Sequence, residues 1–448
     1  MVKGMEYGLI GFPLKHSFSK EVHSLFSNYK YDICELEENN FDAFMREKNF
    51  KGINVTIPYK QKVIPYLDKI DSFAKDINAI NTIVNNNGSL VGYNTDFYGI
   101  VSTFAYFNCF DKNYHYIILG TGATSNTLEY SLRFLGATNV KKCYRENSKI
   151  KGDILYKDLE NEYADKDVFI INATPNGMYP HMDDPLLIDL KKFKNLKGVF
   201  DVVYNPLRTN LLIEAEKLKV KAFSGLYMLV AQAIFAGKYF TNDYVEKDPF
   251  HFEPALAALR NGDIEKADEL CNNALTLGME KYYKACYENK LNIILTGMPT
   301  CGKSTLGKMI SEKYGYEFTD TDELIENKIN CKISDFIKIN GEEKFRDIES
   351  EVIKEVSTKT HAVISTGGGA ILKNENVTNL KHNGKIFFIN RSLELLKPTS
   401  DRPLTSNPDD LKKKYDERLP IYKNTCDVEI DGDVEYSERI VKILNLLM

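Results

Sequence analysis

A glycine-rich segment late in the chain, GMPTCGKST from residue 297 to 305, has residue types that could bind phosphate. Gly297, Gly302, Lys303 and Ser304 fit the spacing G-x-x-x-x-G-K-[ST], and Thr305 follows. In such a loop, backbone N–H groups surround phosphate oxygens, the lysine reaches the β and γ phosphates, and the hydroxyl binds Mg²⁺. The segment therefore predicts binding of ATP with Mg²⁺ and transfer of a phosphoryl group.

Two carboxylates follow this loop in EFTDTDELIE, at the distance expected for the next strand. Asp320 and Asp322 are two residues apart, so they share a face if both lie in a strand. One could serve Mg²⁺ through water, and the other could take a proton from the acceptor hydroxyl. Either one alone could instead cap the helix that follows. Arginines, which bind carboxylates and phosphates with two hydrogen bonds, come next as Arg346, Arg402 and Arg418.

A second glycine turn, much earlier in the chain, suggests a dinucleotide site. YIILGTGATSNTLEYSL places a strand before Gly120 and Gly122 and a helix after them, the context in which a pyrophosphate binds at a helix N-terminus. The next strand leads to Arg145, followed by Lys149, where an NAD-preferring domain often has an acidic residue. Two cations there favour the 2′-phosphate of NADP, although both could be exposed loop charges.

Polar side chains of several kinds occur at predicted strand ends and loops upstream of that turn. They are Ser17, Ser19, Thr56, Lys60, Asn81 and Asp96. Together, hydroxyl, amide, ammonium and carboxylate groups suit a small polyhydroxylated acid, and an ammonium group can give a proton to a developing alkoxide.

Alternating strand and helix patterns must position these residues. The strand-like runs in the first half are YGLIGF, KGINVTI, YHYIILG, VFIINAT and GVFDVVY. The pattern restarts with LNIILTG, AVIST and KIFFIN, after a helical connector that ends near Lys290. This alternation predicts an α/β protein with parallel sheets in two successive parts. The lysine-rich run KKFKNLK, residues 191–197, is expected to be an exposed surface segment.

Composition narrows the classes of partner. A hydrophobic fraction of 43% is enough to build several cores, and the net charge of −5 favours small-molecule substrates over nucleic acid or an anionic membrane surface. The eight cysteines form no C-x-x-C pair, and the start MVKGMEYGLIGF lacks the layout of a signal peptide, so we expect a reducing cytoplasm. The oligomeric state is not readable from the sequence.

The first half of the chain resembles shikimate dehydrogenase. The segments HSFSKEVHS, NVTIPYK, INAINT, GYNTD, GTGATS, INATPNGM, FDVVYNP and GLYMLVAQA carry this resemblance, in that order, over residues 5 to about 260. The resemblance implies that Ser17 and Ser19 hold the substrate carboxylate and that Lys60 and Asp96 form the catalytic pair. It implies a substrate pocket completed by Thr56, Asn81, Tyr204 and Gln232.

The same resemblance implies a site for NADP(H) and a division of the first half into domains. The cofactor residues are Gly120, Gly122, Ala123, Thr124, Arg145, Lys149, Thr174, Val202, Gly225 and Met228, with Met178 also at the nicotinamide end. Residues 1–97 and 226–260 would form a discontinuous α/β substrate domain, and residues 98–225 a Rossmann-like domain for NADP. The implied reaction is the reduction of 3-dehydroshikimate to shikimate by NADPH, with Lys60 protonating the oxygen.

The second half resembles shikimate kinase over residues 291–448, through GKST, DTD, FRDIE, GGGA, RPL and RLPIY. The resemblance implies that Asp322 engages the 3-hydroxyl, that Arg346 and Arg418 grip the carboxylate, and that Gly368 contacts the substrate. Ser304 and Asp320 would manage Mg²⁺, with Lys303 and Arg402 at the transferring phosphates. Arg402 would come from a mobile lid, in which Lys397 could replace the basic residue expected before RPL.

The two resemblances together predict a bifunctional enzyme that catalyses two consecutive reactions. Residues 261–290 would form a helical connector between its dehydrogenase and kinase parts. Two alternatives are open at this point. The dehydrogenase could act mainly on quinate or with NAD, which Arg145 and Lys149 argue against. The kinase part could be a regulatory nucleotide-binding module without catalysis, which the presence of Lys303, Asp322 and the arginines argues against.

Overall fold

Apolar runs of the sequence become the strands of three sheets in the part of the chain that the computed structural model describes, residues 4–14, 17–241, 266, 277–396 and 408–447. The chain divides into two compact units, residues 1–286 and 287–448. Each run singled out above forms a strand, and the predicted α/β class is confirmed. No helix within these ranges is long and apolar enough to cross a membrane.

The first sheet of unit 1 is mixed. Its strands run in the order β2-β1-β3-β5-β6-β4, and β5 is antiparallel to both β3 and β6. The strands are β1 Tyr7–Gly11, β2 Tyr31–Glu35, β3 Gly52–Val55, β4 Lys69–Ile70, β5 Thr82–Asn86 and β6 Ser89–Tyr93. The helices between them are α1 Ser19–Phe26, α2 Glu38–Glu47 and α3 Ser72–Ile77, with a 3₁₀ helix at Ile64–Tyr66.

The second sheet of unit 1 is parallel, in the order β12-β11-β10-β7-β8-β9. Its strands are β7 His115–Leu119, β8 Asn139–Tyr144, β9 Ile154–Leu155, β10 Asp167–Asn172, β11 Asn195–Asp201 and β12 Ala222–Ser224. This is the strand order of the doubly wound dinucleotide-binding fold, in which the ligand crevice lies at the carboxyl ends of the two central strands, here β7 and β10.

Helices cover both faces of this sheet, so its central strands are apolar throughout. Ile117 and Ile118 of β7, and Ile170 and Ile171 of β10, have no exposed surface. The helices are α4 Thr95–Tyr106, α5 Ala123–Phe134, α6 Tyr156–Tyr163, α7 Asn210–Lys217 and α8 Leu226–Phe240, with a 3₁₀ helix at Leu190–Lys192. The four lysines of the run 191–197 are exposed as expected, whereas Phe193 within it is buried and β11 begins at Asn195.

Helix α8 returns the chain to the first sheet. Its residues Ala236 and Phe240 pack in a cluster with Leu9 and Val84. The next described helix, α9 Leu277–Glu288, places Tyr283 edge-on against aromatic rings of α4 and α8. Of the expected connector, residues 261–290, the structure describes position 266 and residues 277–290. The other residues of the connector lie outside the described ranges.

Unit 2 is built on one parallel sheet in the order β14-β15-β13-β16-β17. Its strands are β13 Asn292–Thr296, β14 Glu317–Asp320, β15 Ala362–Ser365, β16 Gly384–Asn390 and β17 Val428–Asp431. Its helices are α10 Lys303–Tyr314, α11 Thr321–Ile329, α12 Ile333–Asn340, α13 Glu342–Val356, α14 Asn374–Asn383, α15 Pro408–Thr425 and α16 Tyr436–Asn445, with 3₁₀ helices at Ala370–Leu372 and Leu393–Leu395.

A buried carboxylate, Asp201, ends strand β11 with no exposed surface. It accepts hydrogen bonds from Asn172 Nδ2 at 2.9 Å, from the N–H of Val203 at 3.0 Å and from Thr209 Oγ1 at 2.6 Å. Burial raises the pKa of Asp201 to about 7, although these donors act in the opposite direction. Asp201 thus ties the ends of β10 and β11 to the start of α7.

Close packing at Gly225 yields the first prediction. A Cβ there would lie 2.0 Å from the carbonyl oxygen of Val202, a backbone atom that cannot rotate away. We expect Gly225→Ala to reduce the free energy of unfolding by about 1–3 kcal/mol through overpacking. Calorimetry of the full chain would show this as a lower melting temperature. In Gly122→Ala the added Cβ meets no heavy atom within 4 Å, so this control should melt like the wild type. Equal melting of the Gly225 variant and the wild type would contradict the packing.

The raised pKa of Asp201 yields a second prediction. Between pH 4 and pH 7 the unfolded chain ionises this carboxyl while the folded chain keeps its proton, so stability falls as the pH rises. Relative to Asp201→Asn, the free energy of unfolding should drop by up to about 1.4 kcal/mol per pH unit in this window and level off above it. Denaturant unfolding with pulsed hydrogen exchange of β10 and β11 peptides would measure it. A difference that grows with pH would mean that the donors outweigh burial.

Candidate active sites

An ion pair between Lys60 and Asp96 forms the polar centre of unit 1. Lys60 follows β3, and its carbonyl accepts the N–H of Ile80 at 2.8 Å. Asp96 lies in the first turn of α4, which Asn94 caps by accepting the N–H of Phe97. Lys60 Nζ lies 2.5 Å from Asp96 Oδ2, and the two side chains are only 13% and 10% exposed. The ammonium group of Lys60 is thus largely buried, and its contact with the Asp96 carboxylate fixes its position.

Asn81 and Gln232 join this pair through the threonine that precedes Asp96. Asn81 Oδ1 accepts hydrogen bonds from the N–H of Thr95 at 2.6 Å and from Thr82 Oγ1 at 3.1 Å. Thr95 Oγ1 also lies 3.4 Å from Gln232 Oε1 on α8. Because its oxygen is occupied by these donors, Asn81 keeps its amide N–H groups for other acceptors.

The serines expected at a substrate carboxylate lie together at the start of α1. Ser17 Oγ lies 3.1 Å from Ser19 Oγ. Tyr204 hydrogen-bonds with Ser17, packs against Phe18 at 5.2 Å between ring centroids, and has its pKa raised by burial. Thr56 lies beside the end of β1, because a Cβ on Gly11 would lie 2.5 Å from Thr56 Cγ2.

The glycine turn after β7 leaves room for a phosphate group. Gly120 has φ of +112°, and its N–H donates to the carbonyl of Cys143 at 3.1 Å. Gly122 is the N-cap of α5, and a Cβ there would meet no heavy atom within 4 Å. Ala123 and Thr124 begin the helix, so their N–H groups are free of helical partners. The open space at a helix N-terminus fits the pyrophosphate of a dinucleotide.

A cavity of about 450 Å³ extends from this turn along the edge of the sheet. Arg145 and Thr174 are among the residues that line it, with Asn147, Ser148 and Tyr156 beside Arg145. Lys149 does not belong to the lining, so of the two expected cations only Arg145 reaches the cavity. This arrangement suits the 2′-phosphate that a guanidinium group can bind with two hydrogen bonds.

Asn172 links Thr174 to the buried Asp201 by hydrogen bonds. Asn172 donates to Asp201 and accepts from Thr174 Oγ1 at 2.7 Å. Val202 and Gly225 lie in direct backbone contact, whereas Met228 packs its backbone against Gly99 of α4. These last three expected cofactor residues lie outside the cavity lining, whereas Met178 belongs to it.

The phosphate-binding loop of unit 2 runs from β13 to α10. Gly297 and Gly302 have φ of +147° and +97°, which the loop needs in order to turn its N–H groups inward. Lys303 is buried, and its Nζ donates to the carbonyls of Gly297 at 2.9 Å and Met298 at 3.0 Å. The ammonium group is thus folded back over the loop, at the position where phosphate oxygens would compete for it.

Oxygen-bearing side chains surround a small cavity of about 110 Å³ beside this loop. Ser304 Oγ donates to Asp320 Oδ2 at 2.6 Å and lies 3.2 Å from Ser365 Oγ. Hard oxygen donors of this kind fit Mg²⁺, which also takes phosphate oxygens. Among the described residues no group of three or more His, Cys, Asp or Glu side chains could hold a metal ion.

Asp320 and Asp322 reach this cavity in a different way from the one predicted. Strand β14 ends at Asp320, so the two carboxylates do not share a strand face, and the alternative expectation of a helix cap is confirmed for Asp320. Asp320 is the N-cap of α11 and accepts the N–H of Asp322 at 3.0 Å, while Asp322 lies in the first helical turn. Both residues nevertheless line the cavity, because the cap turns the chain around it.

Arg346 and Arg418, which are expected to bind the substrate carboxylate, form hydrogen bonds with other residues of unit 2. Arg346 Nη1 donates to Glu349 Oε2 and Nη2 to Glu342 Oε1, each at 2.8 Å. Arg418 Nη1 donates to the carbonyl of Gly368 at 3.0 Å, and Tyr422 Oη donates to the same carbonyl at 2.5 Å. The glycine run links these groups to Asp322, since a Cβ on Gly367 would lie 2.5 Å from Asp322 Oδ1.

Glu349 and Tyr422 are site residues that the sequence reasoning missed. Glu349 is 1% exposed, and burial raises its pKa although Arg346 acts against this shift. Glu349 follows Arg346 by one helical turn, a spacing that could have suggested the pair. Tyr422 ends the segment RLPIY and follows Arg418 by four residues on α15, so the sequence offered a comparable signal for it. Arg402 and Lys397 of the expected lid lie outside the described residues.

Comparison with protein families gives two matches. The family model described as shikimate dehydrogenase substrate binding domain matches residues 9–83, and the model described as shikimate kinase matches residues 299–447. The first match contains Lys60 and Asn81, and the second contains the phosphate-binding loop from residue 299 onward.

Relatives of the first half are named shikimate dehydrogenase (NADP(+)). The one from Clostridium beijerinckii is 37% identical over 246 residues, which cover 51% of this chain and 89% of the relative. The one from Methanococcus maripaludis is 34% identical over 253 residues, covering 52% and 91%. A crystal structure of a chorismate mutase/shikimate 5-dehydrogenase fusion protein from Clostridium acetobutylicum has a TM-score of 0.48 at 30% identity, covering 59% and 97%. The chain therefore belongs to the shikimate dehydrogenase family and carries a shikimate kinase domain in its second half.

Proposed function

We propose that this one chain catalyses two consecutive reactions. The first is the NADPH-dependent reduction of 3-dehydroshikimate to shikimate, and the second is the ATP-dependent phosphorylation of shikimate to shikimate 3-phosphate. The observation that carries the proposal is that one chain contains a largely buried Lys60–Asp96 pair and a dinucleotide crevice in unit 1, and a phosphate-binding loop with Asp322 at its cavity in unit 2. The product of the first reaction is the acceptor of the second.

In the first unit, the chain's own residues bind the acid and supply a proton. Ser17 and Ser19 hold the carboxylate, while Asn81 and Gln232 bind ring hydroxyls. Lys60 gives a proton from Nζ to the ketone oxygen as charge develops there, and Asp96 keeps that ammonium group in place. NADPH, when bound, supplies the hydride to the ketone carbon. The glycine turn at 120–122 holds its pyrophosphate and Arg145 its 2′-phosphate.

In the second unit, Arg346 and Arg418 orient shikimate by its carboxylate, and Gly368 lies against the ring. Asp322 accepts the proton of the 3-hydroxyl as this oxygen attacks phosphorus. Lys303 exchanges its loop carbonyls for phosphate oxygens, and Ser304 with Asp320 holds Mg²⁺. ATP supplies the phosphoryl group.

We also propose a domain division and a compartment. Residues 1–97 and 226–260 form the substrate domain, and residues 98–225 form the NADP domain. Residues 261–290 form a connector to the kinase domain, residues 291–448. The packing of α8 on the first sheet supports the assignment of residues 226–260 to the substrate domain. A cytoplasmic location is supported by the seven cysteines among the described residues, which are free thiols.

Lys60→Ala tests the first reaction. Because Lys60 acts on charge that develops in the transition state, kcat for the reduction of 3-dehydroshikimate should fall about 10²- to 10⁴-fold, with a smaller change in KM. The matched control is Lys62→Ala, which removes a surface lysine paired with Glu38 and should keep normal kcat. Steady-state assays with NADPH measure both. A Lys60→Ala enzyme with normal kcat would remove this lysine from the chemistry.

Asp322→Asn tests the second reaction in the same full-length protein. The amide cannot accept the hydroxyl proton, so shikimate-dependent formation of ADP should slow by about 10²-fold or more. Reduction of 3-dehydroshikimate should be unchanged. Asp335→Asn serves as the control, because Asp335 is exposed on α12 and pairs only loosely with Lys338 at 3.3 Å. A kinase rate in Asp322→Asn equal to that of the control would assign the proton transfer to another group.

A further inference from the structure

Two neighbouring residues of opposite charge follow strand β8. Arg145 lines the cavity of unit 1, whereas the next residue, Glu146, is absent from its lining. The sequence therefore puts a carboxylate one residue from the guanidinium group that is proposed to bind the 2′-phosphate. An acidic side chain at the end of this strand is what NAD-dependent domains use to bind the ribose 2′-hydroxyl.

Two lysines bind Glu146, which does not line the cavity. Lys157, in the first turn of α6, forms an ion pair with Glu146 Oε1. Lys151 Nζ donates to the main-chain carbonyl of Glu146 at 2.9 Å, and the same Nζ lies 5.2 Å from the centroid of the Tyr144 ring. The hydrogen bond from Lys157 is also the main cause that lowers the pKa of Glu146.

A free negative charge at this place would act against a doubly charged phosphate. The Glu146 side chain is 68% exposed and could turn about its bonds toward the cavity if nothing held it. Repulsion between charges that lie several ångströms apart in water changes an equilibrium by a small factor, and salt screens it. The ion pair with Lys157 both neutralises the carboxylate and restricts where it can lie.

We propose that Lys157 is a specificity-determining residue of the dehydrogenase, because it holds Glu146 away from the 2′-phosphate site and so maintains the preference for NADPH over NADH. Lys157 is a positioning residue here, since it acts through Glu146 and does not itself line the cavity. This inference rests on the proposed function of the first unit.

The test compares kcat/KM for NADPH and for NADH in the full-length enzyme with 3-dehydroshikimate. In Lys157→Ala, KM for NADPH should rise about 3- to 10-fold at low ionic strength, while KM for NADH stays the same or falls and kcat is unchanged. The loss of discrimination should shrink at about 0.5 M salt, where the Debye length is only a few ångströms. Lys157→Arg should keep the wild-type ratio.

Two further variants separate this role from a structural one. Glu146→Gln added to Lys157→Ala should restore the wild-type ratio, because the charge that Lys157 controls is then gone. Lys194→Ala removes another exposed lysine of unit 1, paired with Asp165, and should leave the ratio unchanged.

An unchanged ratio in Lys157→Ala, an equal loss for both cofactors, or a double variant that is not restored would each overturn the inference while leaving the proposed reaction intact. A wild-type enzyme without preference for NADPH would contradict the proposed cofactor itself, and the inference with it.

Discussion

Both active sites depend on the same constraint, which is that a ligand phosphate must approach the backbone at the carboxyl end of a parallel strand. Gly120 after β7 and Gly302 before α10 both have positive φ, so each turn can direct N–H groups toward the ligand. The strand orders place these turns at the crevices where the connections of each sheet diverge. The other residues of each site are positioned relative to these two turns.

Charged groups in the sites have partners within the protein. Lys60 is paired with Asp96, Arg346 with Glu342 and Glu349, and Lys303 with loop carbonyls. An unpaired buried charge would cost several kcal/mol, so these partners stabilise the folded chain as well as orient its reactive groups.

The parts of the structure that could be predicted are those encoded locally. The phosphate-binding loop, the turn at Gly120 and the strand runs follow from residue types at fixed spacing. The errors concern features set by neighbours distant in sequence or by the exact end of an element. Asp320 ends its strand and caps a helix, so the two-residue spacing to Asp322 gave the wrong geometry although both reach the same cavity. Phe193 is buried by the core of the second sheet despite four lysines nearby in sequence. The bond from Tyr422 to Gly368 spans 54 residues, so local spacing does not indicate this partner.

The central claim is that one chain makes shikimate and then phosphorylates it, and isotope transfer tests this most directly. Purified full-length protein would be given 3-dehydroshikimate, ATP with Mg²⁺ and NADPH deuterated at both C4 positions, and the products would be analysed by mass spectrometry and NMR. The account predicts shikimate 3-phosphate that carries one deuterium on the carbon whose oxygen bears the phosphate. Deuterated shikimate without phosphate, or phosphorylated product without deuterium, would contradict it.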